Sequence, residues 1–246
     1  MIYTTLPVCY HSSAMNTQRE YYLLLAAAYT RGKLQHTLSN DYPELFPGDL
    51  AELSESDLRQ LIALAQQHEL RLHRFKRTMD LPRVQKILGV LKGLQPGNLL
   101  DIGSGRGAFL WPLLDTFPYL PVTCIDRLDY RVAELQAVHD GGIERMEAVH
   151  GDVTELPFAD ASFDVVTMLE VLEHIPETRK ALAEVCRVAR RFVLLSVPSK
   201  ADDNPEHLHL FEQQQLRALL GEQGITRVNV EYVLNHMLVV ARIEHL

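Results

Sequence analysis

The stretch that decides the fold is Leu99-Leu100-Asp101-Ile102-Gly103-Ser104-Gly105-Arg106-Gly107. It begins as an apolar strand, turns on glycines, and is followed by a helical pattern over 108–116. Glycine permits backbone angles that other residues avoid and lets a ligand touch the main chain, while the helix N-terminus offers free N–H groups. A glycine pattern alone is weak evidence, but its place between a strand and a helix predicts a ligand-binding loop.

Asp101 distinguishes between two kinds of ligand for this loop. The spacing is G-x-G-x-G, with Ala108 where the dinucleotide pattern G-x-G-x-x-G/A tolerates a small residue, so a nicotinamide-dependent oxidoreductase is one alternative. A carboxylate two residues before the first glycine would repel a pyrophosphate and attract a cation. We therefore expect a ligand that carries positive charge at the loop.

From Asn98 onward, short β-branched runs alternate with helical segments, which is the pattern of βαβ units around a parallel sheet. The predicted strands cover 98–102, 121–126, 145–150, 163–169 and 192–197. The helices between and after them cover 108–116, 129–138, 176–187 and 212–223. The last two runs, 227–233 and 237–242, are separated by a link too short for a parallel crossover, so they are predicted to form an antiparallel hairpin.

The acids downstream of the loop follow a familiar order. Asp126 closes the second strand, Gly151-Asp152-Val153 follows the third, and Leu169-Glu170-Val171-Leu172-Glu173-His174 follows the fourth. With these pieces, residues 95–243 resemble the class I S-adenosylmethionine-dependent methyltransferases. The resemblance implies a Rossmann-like α/β fold with a seven-stranded sheet in the order 3-2-1-4-5-7-6, in which strand 7 is antiparallel.

The resemblance also implies S-adenosylmethionine as the cofactor, whose sulfonium and ammonium groups suit a loop that carries a carboxylate. In this family the loop holds the methionine end, an acid after the second strand binds the ribose hydroxyls, and an acid after the third binds the adenine amino group. The cofactor-binding residues that we expect are Asp101, Gly103, Ser104, Gly105, Gly107, Asp126, Arg127, Asp152, Val153, Leu169 and Glu170. Each acid also has a plainer interpretation, as a helix cap, a strand end or a turn residue.

Methyl transfer from a sulfonium needs alignment and exclusion of water, and it needs a base only when the nucleophile is protonated. His174 and His209 follow strands four and five, where the methyl group is expected, and are the candidate catalytic bases. With Glu170 and Glu173 they also resemble the metal-binding pattern of small-RNA 2′-O-methyltransferases. Because similar strings occur widely among class I enzymes without a metal, we predict no metal and keep the metal site as the alternative.

Residues 1–94 are predicted to form a helical extension or lid on the methyltransferase domain at 95–246. Its helices are expected over 18–29, 58–70 and 80–92, with Ser54 and Asp80 as N-caps. The segment from Arg71 to Lys92 is a basic run, because it contains only one acid, Asp80. Its basic residues are Arg71, Arg74, Lys76, Arg77, Arg83, Lys86 and Lys92. Such a run suits an anionic acceptor, unless the acids between Asp41 and Asp57 neutralise it.

Composition limits the remaining possibilities. The net charge of −8 argues against a general nucleic-acid binder. Cys9, Cys124 and Cys186 form no C-x-x-C pair, which argues against a disulfide framework or a zinc knuckle. No apolar run approaches the roughly 18–20 residues that cross a bilayer, and no signal peptide is recognisable, so a cytoplasmic protein without a membrane partner is expected.

The sequence therefore predicts a methyltransferase that acts on an oxygen or nitrogen nucleophile of a small molecule. Methylation of RNA by a metal-dependent 2′-O-methyltransferase and a non-catalytic cofactor-binding module remain the alternatives. The oligomeric state stays open.

Overall fold

The computed structural model describes residues 21–46, 48–77 and 81–244. The start of the predicted 18–29 helix, the Asp80 cap and Cys9 lie outside the described residues. The strands are β1 (Leu99–Ile102), β2 (Val122–Asp126), β3 (Met146–His150), β4 (Phe163–Leu169), β5 (Ala189–Pro198), β6 (Val228–Val233) and β7 (His236–Arg242). The α-helices are α1 (Leu23–Leu38), α2 (Glu55–Gln67), α3 (Pro82–Leu94), α4 (Leu110–Thr116), α5 (Asp129–Asp140), α6 (Thr178–Val188) and α7 (Gln213–Gly221).

The strands form one sheet in the order β3-β2-β1-β4-β5-β7-β6. Strands β1 to β5 are parallel, and β7 runs antiparallel to both β5 and β6. This order confirms the predicted Rossmann-like class with its terminal hairpin. The strand order reverses between β1 and β4, and ligands of such sheets bind outside the carboxyl ends of the strands at this reversal.

The helices of the N-terminal segment begin and end where local chemistry dictates. Ser54 and Asp57 form a reciprocal capping box, which confirms the predicted N-cap at Ser54 and begins α2 at Glu55. Pro82 occupies the first turn of α3, where its missing N–H costs nothing. Helix α3 ends at Gln95, which adopts the left-handed conformation typical of a helix C-terminus.

The N-terminal helices share a core with the sheet domain. Helix α1 packs on α5 so closely that a Cβ added at Gly32 would lie 1.9 Å from the Ala137 carbonyl oxygen. The Phe75 ring lies between Tyr29 and Trp111, with centroid distances of 5.2 and 4.8 Å. One apolar cluster therefore extends from α1 through these rings to the face of the sheet.

The basic run of the sequence is partly neutralised, although by acids other than those between Asp41 and Asp57. Arg74 forms an ion pair with Glu134 on α5. Arg77 pairs with Asp115 at 3.0 Å, and Lys86 pairs with Glu231 on β6 at 2.7 Å. These pairs attach the N-terminal segment to the sheet domain at its surface.

Candidate active site

A cavity of about 180 Å³ opens where β1, β4 and β5 end and where α3 crosses them. Its walls come from the glycine loop, the ends of β4 and β5, one side of α3, and Leu238 of β7. The polar residues and glycines in its lining are Arg83, Asp101, Gly103, Ser104, Gly105, Arg106, Glu170 and Ser196. Six of the residues expected at a cofactor site thus border one cavity: Asp101, Gly103, Ser104, Gly105, Leu169 and Glu170.

The glycines of the loop have two different structural roles. A Cβ at Gly103 (φ +68°) would lie 2.6 Å from Val171, and one at Gly107 (φ +82°) would lie 2.1 Å from Trp111, so both make room for neighbouring side chains. A Cβ at Gly105 (φ +58°) would meet only the Gly103 carbonyl oxygen at 3.7 Å and Arg131 at 3.9 Å. Gly105 is therefore the position at which a ligand can approach the backbone.

The Asp101 carboxylate is buried at the end of β1 and is oriented by two hydroxyls. Ser104 Oγ donates to its Oδ2 at 2.6 Å, and Thr167 Oγ1 on β4 donates to its Oδ1 at 2.7 Å. Burial raises the pKa of Asp101 to about 6, although both hydroxyls oppose this shift. At neutral pH the Asp101 carboxyl is therefore mostly an anion, which the two hydroxyls hold in the lining of the cavity.

Asp126 is the last residue of β2 and Asp152 follows the end of β3, and neither belongs to the lining of this cavity. Asp126 is buried, accepts from Leu128 N at 3.0 Å, and lies 3.5 Å from the guanidinium of Arg131. Asp152 is exposed, and two hydrogen bonds from Thr154 lower the pKa of its carboxyl. Arg127 is exposed next to Asp126, whereas Val153 is buried.

Glu170 adopts the left-handed conformation (φ +57°) directly after β4. Its N–H donates to Ser196 O at 2.9 Å, and its Oε1 accepts from Ser196 Oγ at 2.6 Å. The second oxygen lies 3.3 Å from Nδ1 of His236, whose pKa burial lowers. A non-glycine residue in this conformation is strained by roughly 1–3 kcal/mol, and such strain concentrates at functional sites.

The two predicted bases, His174 and His209, lie outside the lining of the cavity. Each holds a backbone carbonyl: His174 Nδ1 is 2.8 Å from Glu206 O, and His209 Nε2 is 3.0 Å from Ile175 O. One nitrogen of each ring stays available for other chemistry. Their roles as bases stay predictions.

Glu173, the residue before His174, is fully buried, and burial raises the pKa of its carboxyl to about 8. Within the described residues, neither of its carboxylate oxygens has a hydrogen-bond partner. One ligand atom each of Glu173, His174 and His207 lies within 4.8 Å of the others. The sequence-based metal hypothesis used Glu170 and His209 with Glu173 and His174, whereas the structure groups His207 with Glu173 and His174.

Sequence reasoning missed three residues that shape the cavity. Thr167 orients Asp101 from a neighbouring strand, Ser196 orients Glu170 from β5, and Arg83 enters the lining from α3. Only Arg83 had a signal in the sequence, as one member of the basic run. Thr167 and Ser196 are single small polar residues inside buried strands, and only the pairing register places them against their carboxylates.

Residues 100–195 match the family model for a methyltransferase domain. This match, the strand order and the loop together define a class I S-adenosylmethionine-dependent methyltransferase domain. Among solved structures, the chain is similar to an S-adenosylmethionine-dependent methyltransferase from Aquifex aeolicus, with a TM-score of 0.55 and 26% identity over 65% of this chain and 89% of that one.

Two curated relatives show the range of proteins that share this domain. A malonyl-[acyl-carrier protein] O-methyltransferase of Geobacter sulfurreducens is 27% identical over 60% of this chain and 63% of its own length. A demethylmenaquinone methyltransferase of Staphylococcus aureus is 37% identical over 44% of each chain. The chain thus spans less than two thirds of the curated relatives that it matches.

The described helices include none that combines the length and the apolar character needed to cross a membrane.

Proposed function

We propose that this chain is an enzyme that transfers the methyl group of S-adenosylmethionine to an oxygen or nitrogen atom of a small, anionic acceptor. The observation that carries the proposal is the convergence of the glycine loop, the buried Asp101 carboxylate and the strained Glu170 on one cavity. S-adenosylmethionine, when bound, supplies an activated methyl group on a sulfonium. The chain's own residues need to bind, align and exclude water.

The residues present fit this cofactor. The open backbone at Gly105 and the loop N–H groups suit close approach, and the Asp101 carboxylate suits the cationic methionine end. In this proposal Gly103, Ser104 and Gly107 shape the same loop, while Leu169 and Glu170 border the reacting end. Asp126 with Arg127 would bind the ribose, and Asp152 with Val153 the adenine.

Arg131 has a defined part in cofactor binding under this proposal. Its guanidinium lies 3.5 Å from Asp126 Oδ2 and would lie 3.9 Å from a Cβ built on Gly105, so it lies between the acid assigned to the ribose and the glycine loop. Its side chain is 32% exposed, whereas that of Asp126 is 4% exposed. Because the separation of 3.5 Å is long for a hydrogen bond, in this proposal Asp126 exchanges this contact for the ribose hydroxyls.

The cavity supports an anionic acceptor. Arg83 enters it from α3, and its charge acts on the buried Glu173 and on the half-buried His236. None of the ion pairs recorded within the described residues engages Arg83, in contrast to Arg74, Arg77 and Lys86 of the same basic run. A guanidinium at the cavity wall offers a carboxylate or phosphate two parallel hydrogen bonds.

Glu170 is the proton acceptor that lies in the cavity itself. Ser196 and the backbone fix its carboxylate, and His236 beside it is held toward its neutral form by burial. A carboxylate backed by a neutral imidazole can take a proton from an attacking hydroxyl or ammonium and pass it outward. His174 and His209, the bases expected from the sequence, are the alternative.

The test combines cofactor binding with label transfer. We expect calorimetry to show S-adenosylmethionine binding by the purified chain, and an Asp126→Ala variant to bind about 10- to 100-fold more weakly, since charge-assisted hydrogen bonds contribute about 1.5–3 kcal/mol. Methyl-labelled cofactor incubated with a fractionated lysate should then label the anionic metabolites. Label in the RNA fraction alone would contradict the small-molecule assignment, and binding without any label transfer would identify a non-catalytic module.

A further inference from the structure

The Leu172–His174 turn contains a buried carboxylate that the fold does not satisfy. Glu173 is 0% exposed, and within the described part of the chain both of its oxygens lack a hydrogen-bond partner. A buried polar group without a partner costs free energy comparable to that of a lost hydrogen bond, and more if it is charged. A buried carboxyl group of this kind is either protonated or able to bind a cation.

Two histidine rings lie near this carboxylate, and in each of them Nδ1 contacts an oxygen atom of a neighbouring residue. His174 Nδ1 lies 2.8 Å from the Glu206 carbonyl oxygen, so it carries the proton and donates. His207 Nδ1 lies 2.8 Å from the Asp202 carboxylate and is protonated for the same reason. The Nε2 atom of each ring is therefore the lone-pair nitrogen. The ring centroids are 4.8 Å apart.

This arrangement is how proteins prepare histidines for a metal. A ligating imidazole usually donates its second N–H to a carboxylate or a backbone carbonyl, which fixes both the tautomer and the ring orientation. Here Asp202 and the Glu206 carbonyl supply these outer contacts, while Glu173, His174 and His207 each place one ligand atom within 4.8 Å of the others. Ligands on one Zn²⁺ ion are roughly 3.4 Å apart at a metal–nitrogen distance of about 2.1 Å, so the ligand atoms need to approach one another by up to about 1.4 Å.

We propose that Glu173, His174 and His207 bind one divalent transition-metal ion, with water completing its coordination. Two imidazoles and one carboxylate suit Zn²⁺, Fe²⁺ or Co²⁺ better than Mg²⁺ or Ca²⁺, which prefer oxygen ligands only. The ion would neutralise the buried Glu173 and occupy a site distinct from the cavity assigned to the cofactor. Glu170 and His209 remain with Ser196 and the Ile175 carbonyl.

The probe for this site is Co²⁺, because its visible absorption reports the number and type of its ligands. The full chain, stripped with a chelator, should bind one equivalent of Co²⁺ and develop a band of nitrogen and oxygen ligation at low coordination number. One equivalent of Zn²⁺ should displace Co²⁺ and raise the melting temperature, since an ion that binds only the folded state stabilises it. These readouts do not depend on methyl transfer, so they stand or fall independently of the proposed function.

Variants locate the site within the chain. Glu173→Gln, His174→Asn and His207→Asn should each weaken Co²⁺ binding at least about 100-fold, because even the loss of an outer-shell partner typically costs 10- to 100-fold. Asp202→Asn should give that smaller loss. His68→Asn is the matched control, since His68 is exposed at the end of α2, away from the cluster, and the variant should bind as the wild type does.

Glu173→Gln also guards against a folding artefact, because it keeps the side-chain shape and removes a buried charge. It should fold at least as well as the wild type by circular dichroism while losing the Co²⁺ band. Absence of the band in the wild type, or its persistence in the Glu173→Gln and His174→Asn variants, would overturn the proposal. In that case Glu173 is a protonated acid and the sequence-based prediction of no metal holds.

Discussion

Asp101 and Asp164 are both buried carboxylates, yet their surroundings act in opposite directions. Burial raises the pKa of Asp101 to about 6, with two hydroxyls as its only hydrogen-bond donors among the described residues. Burial also acts to raise the pKa of Asp164, but the Gly97 N–H at 2.6 Å and the Arg190 guanidinium at 2.8 Å outweigh it and hold the pKa below its ordinary value. Among the described residues, the first carboxylate has only neutral hydroxyl partners, whereas the second links β4 to the Gly97 backbone and to Arg190 on β5.

The raised pKa of Asp101 predicts that replacing this carboxylate with a neutral side chain stabilises the fold by an amount that depends on pH. Because its folded pKa exceeds its unfolded value, Asp101 favours folding when protonated, and this contribution is lost as pH rises from about 3.8 through about 6. We expect Asp101→Asn to be more stable than the wild type at pH 8 by roughly 3 kcal/mol, with the gain in stability shrinking below pH 6. Urea unfolding at several pH values between 5 and 8 measures it, and the variant should bind S-adenosylmethionine poorly.

Asp164→Asn is the matched control for this experiment. Its folded pKa is lowered, so its stabilising contribution is present above the unfolded value and is lost only as pH falls below it. Between pH 5 and 8 the variant should therefore lose stability, by roughly 2 kcal/mol, without a change in size across the range. A gain for Asp101→Asn that did not vary with pH would show that its charge is not the cause.

At the scale of elements, two helix backbones touch where α1 crosses α5. A Cβ at Gly32 would lie 1.9 Å from the Ala137 carbonyl oxygen, and a Cβ at Gly141 would lie 1.8 Å from the Ala28 carbonyl oxygen. Both obstacles are backbone atoms, so the helices can accommodate a methyl group only by moving apart. This contact fixes the N-terminal segment on the outer side of the sheet domain.

Two glycine-to-alanine variants in helices should therefore have opposite effects on stability. Gly32→Ala should destabilise the protein by roughly 1–3 kcal/mol, since overpacking forces the backbones apart. Gly89→Ala in α3 should stabilise it by roughly 0.5–1 kcal/mol, because a Cβ there meets nothing within 4 Å and alanine favours helix. The urea midpoints of the two variants measure these changes in stability. Equal changes of the same sign would refute the close contact between the backbones of α1 and α5.

At the scale of the whole molecule, the chain's single tryptophan is placed where the N-terminal segment meets the sheet domain. Trp111 is 2% exposed, its indole N–H donates to Arg106 O at 3.0 Å, and its ring lies beside Phe75. Its fluorescence therefore reports on the docking of the N-terminal segment. Circular dichroism reports on the helices of the whole chain.

The shared apolar cluster predicts that both signals change together on unfolding. We expect coincident urea transitions by fluorescence and by circular dichroism, as for a single cooperative unit. Phe75→Ala should shift both midpoints to lower urea by the same amount, at a cost of roughly 3–5 kcal/mol. A fluorescence transition that precedes the dichroism transition would contradict a single cooperative unit and would show that the N-terminal extension unfolds separately from the sheet domain.

Much of the fold follows from the sequence because periodicity is a local property. The strands and helices of residues 98–242 were predicted close to their observed bounds, and β4 at its observed bounds, since β-branched runs and helical spacing each depend on near neighbours. Deviations occur at the ends, where capping decides. For example, the helix predicted over 80–92 extends to Leu94 in the structure, where Gln95 in the left-handed conformation forms the C-terminal cap.

By itself, the sequence determined the succession of strands and helices along the domain and the glycine loop around Asp101, because these depend on short contiguous patterns, while the order of the strands in the sheet was implied by the resemblance to the class I methyltransferases. Only the tertiary structure decided which side chains share a site. It placed Thr167 on Asp101, Ser196 on Glu170 and His207 beside Glu173, over sequence separations that no local pattern encodes. The physical reason is that strand register and loop packing, set by burial across the whole core, bring distant polar groups together.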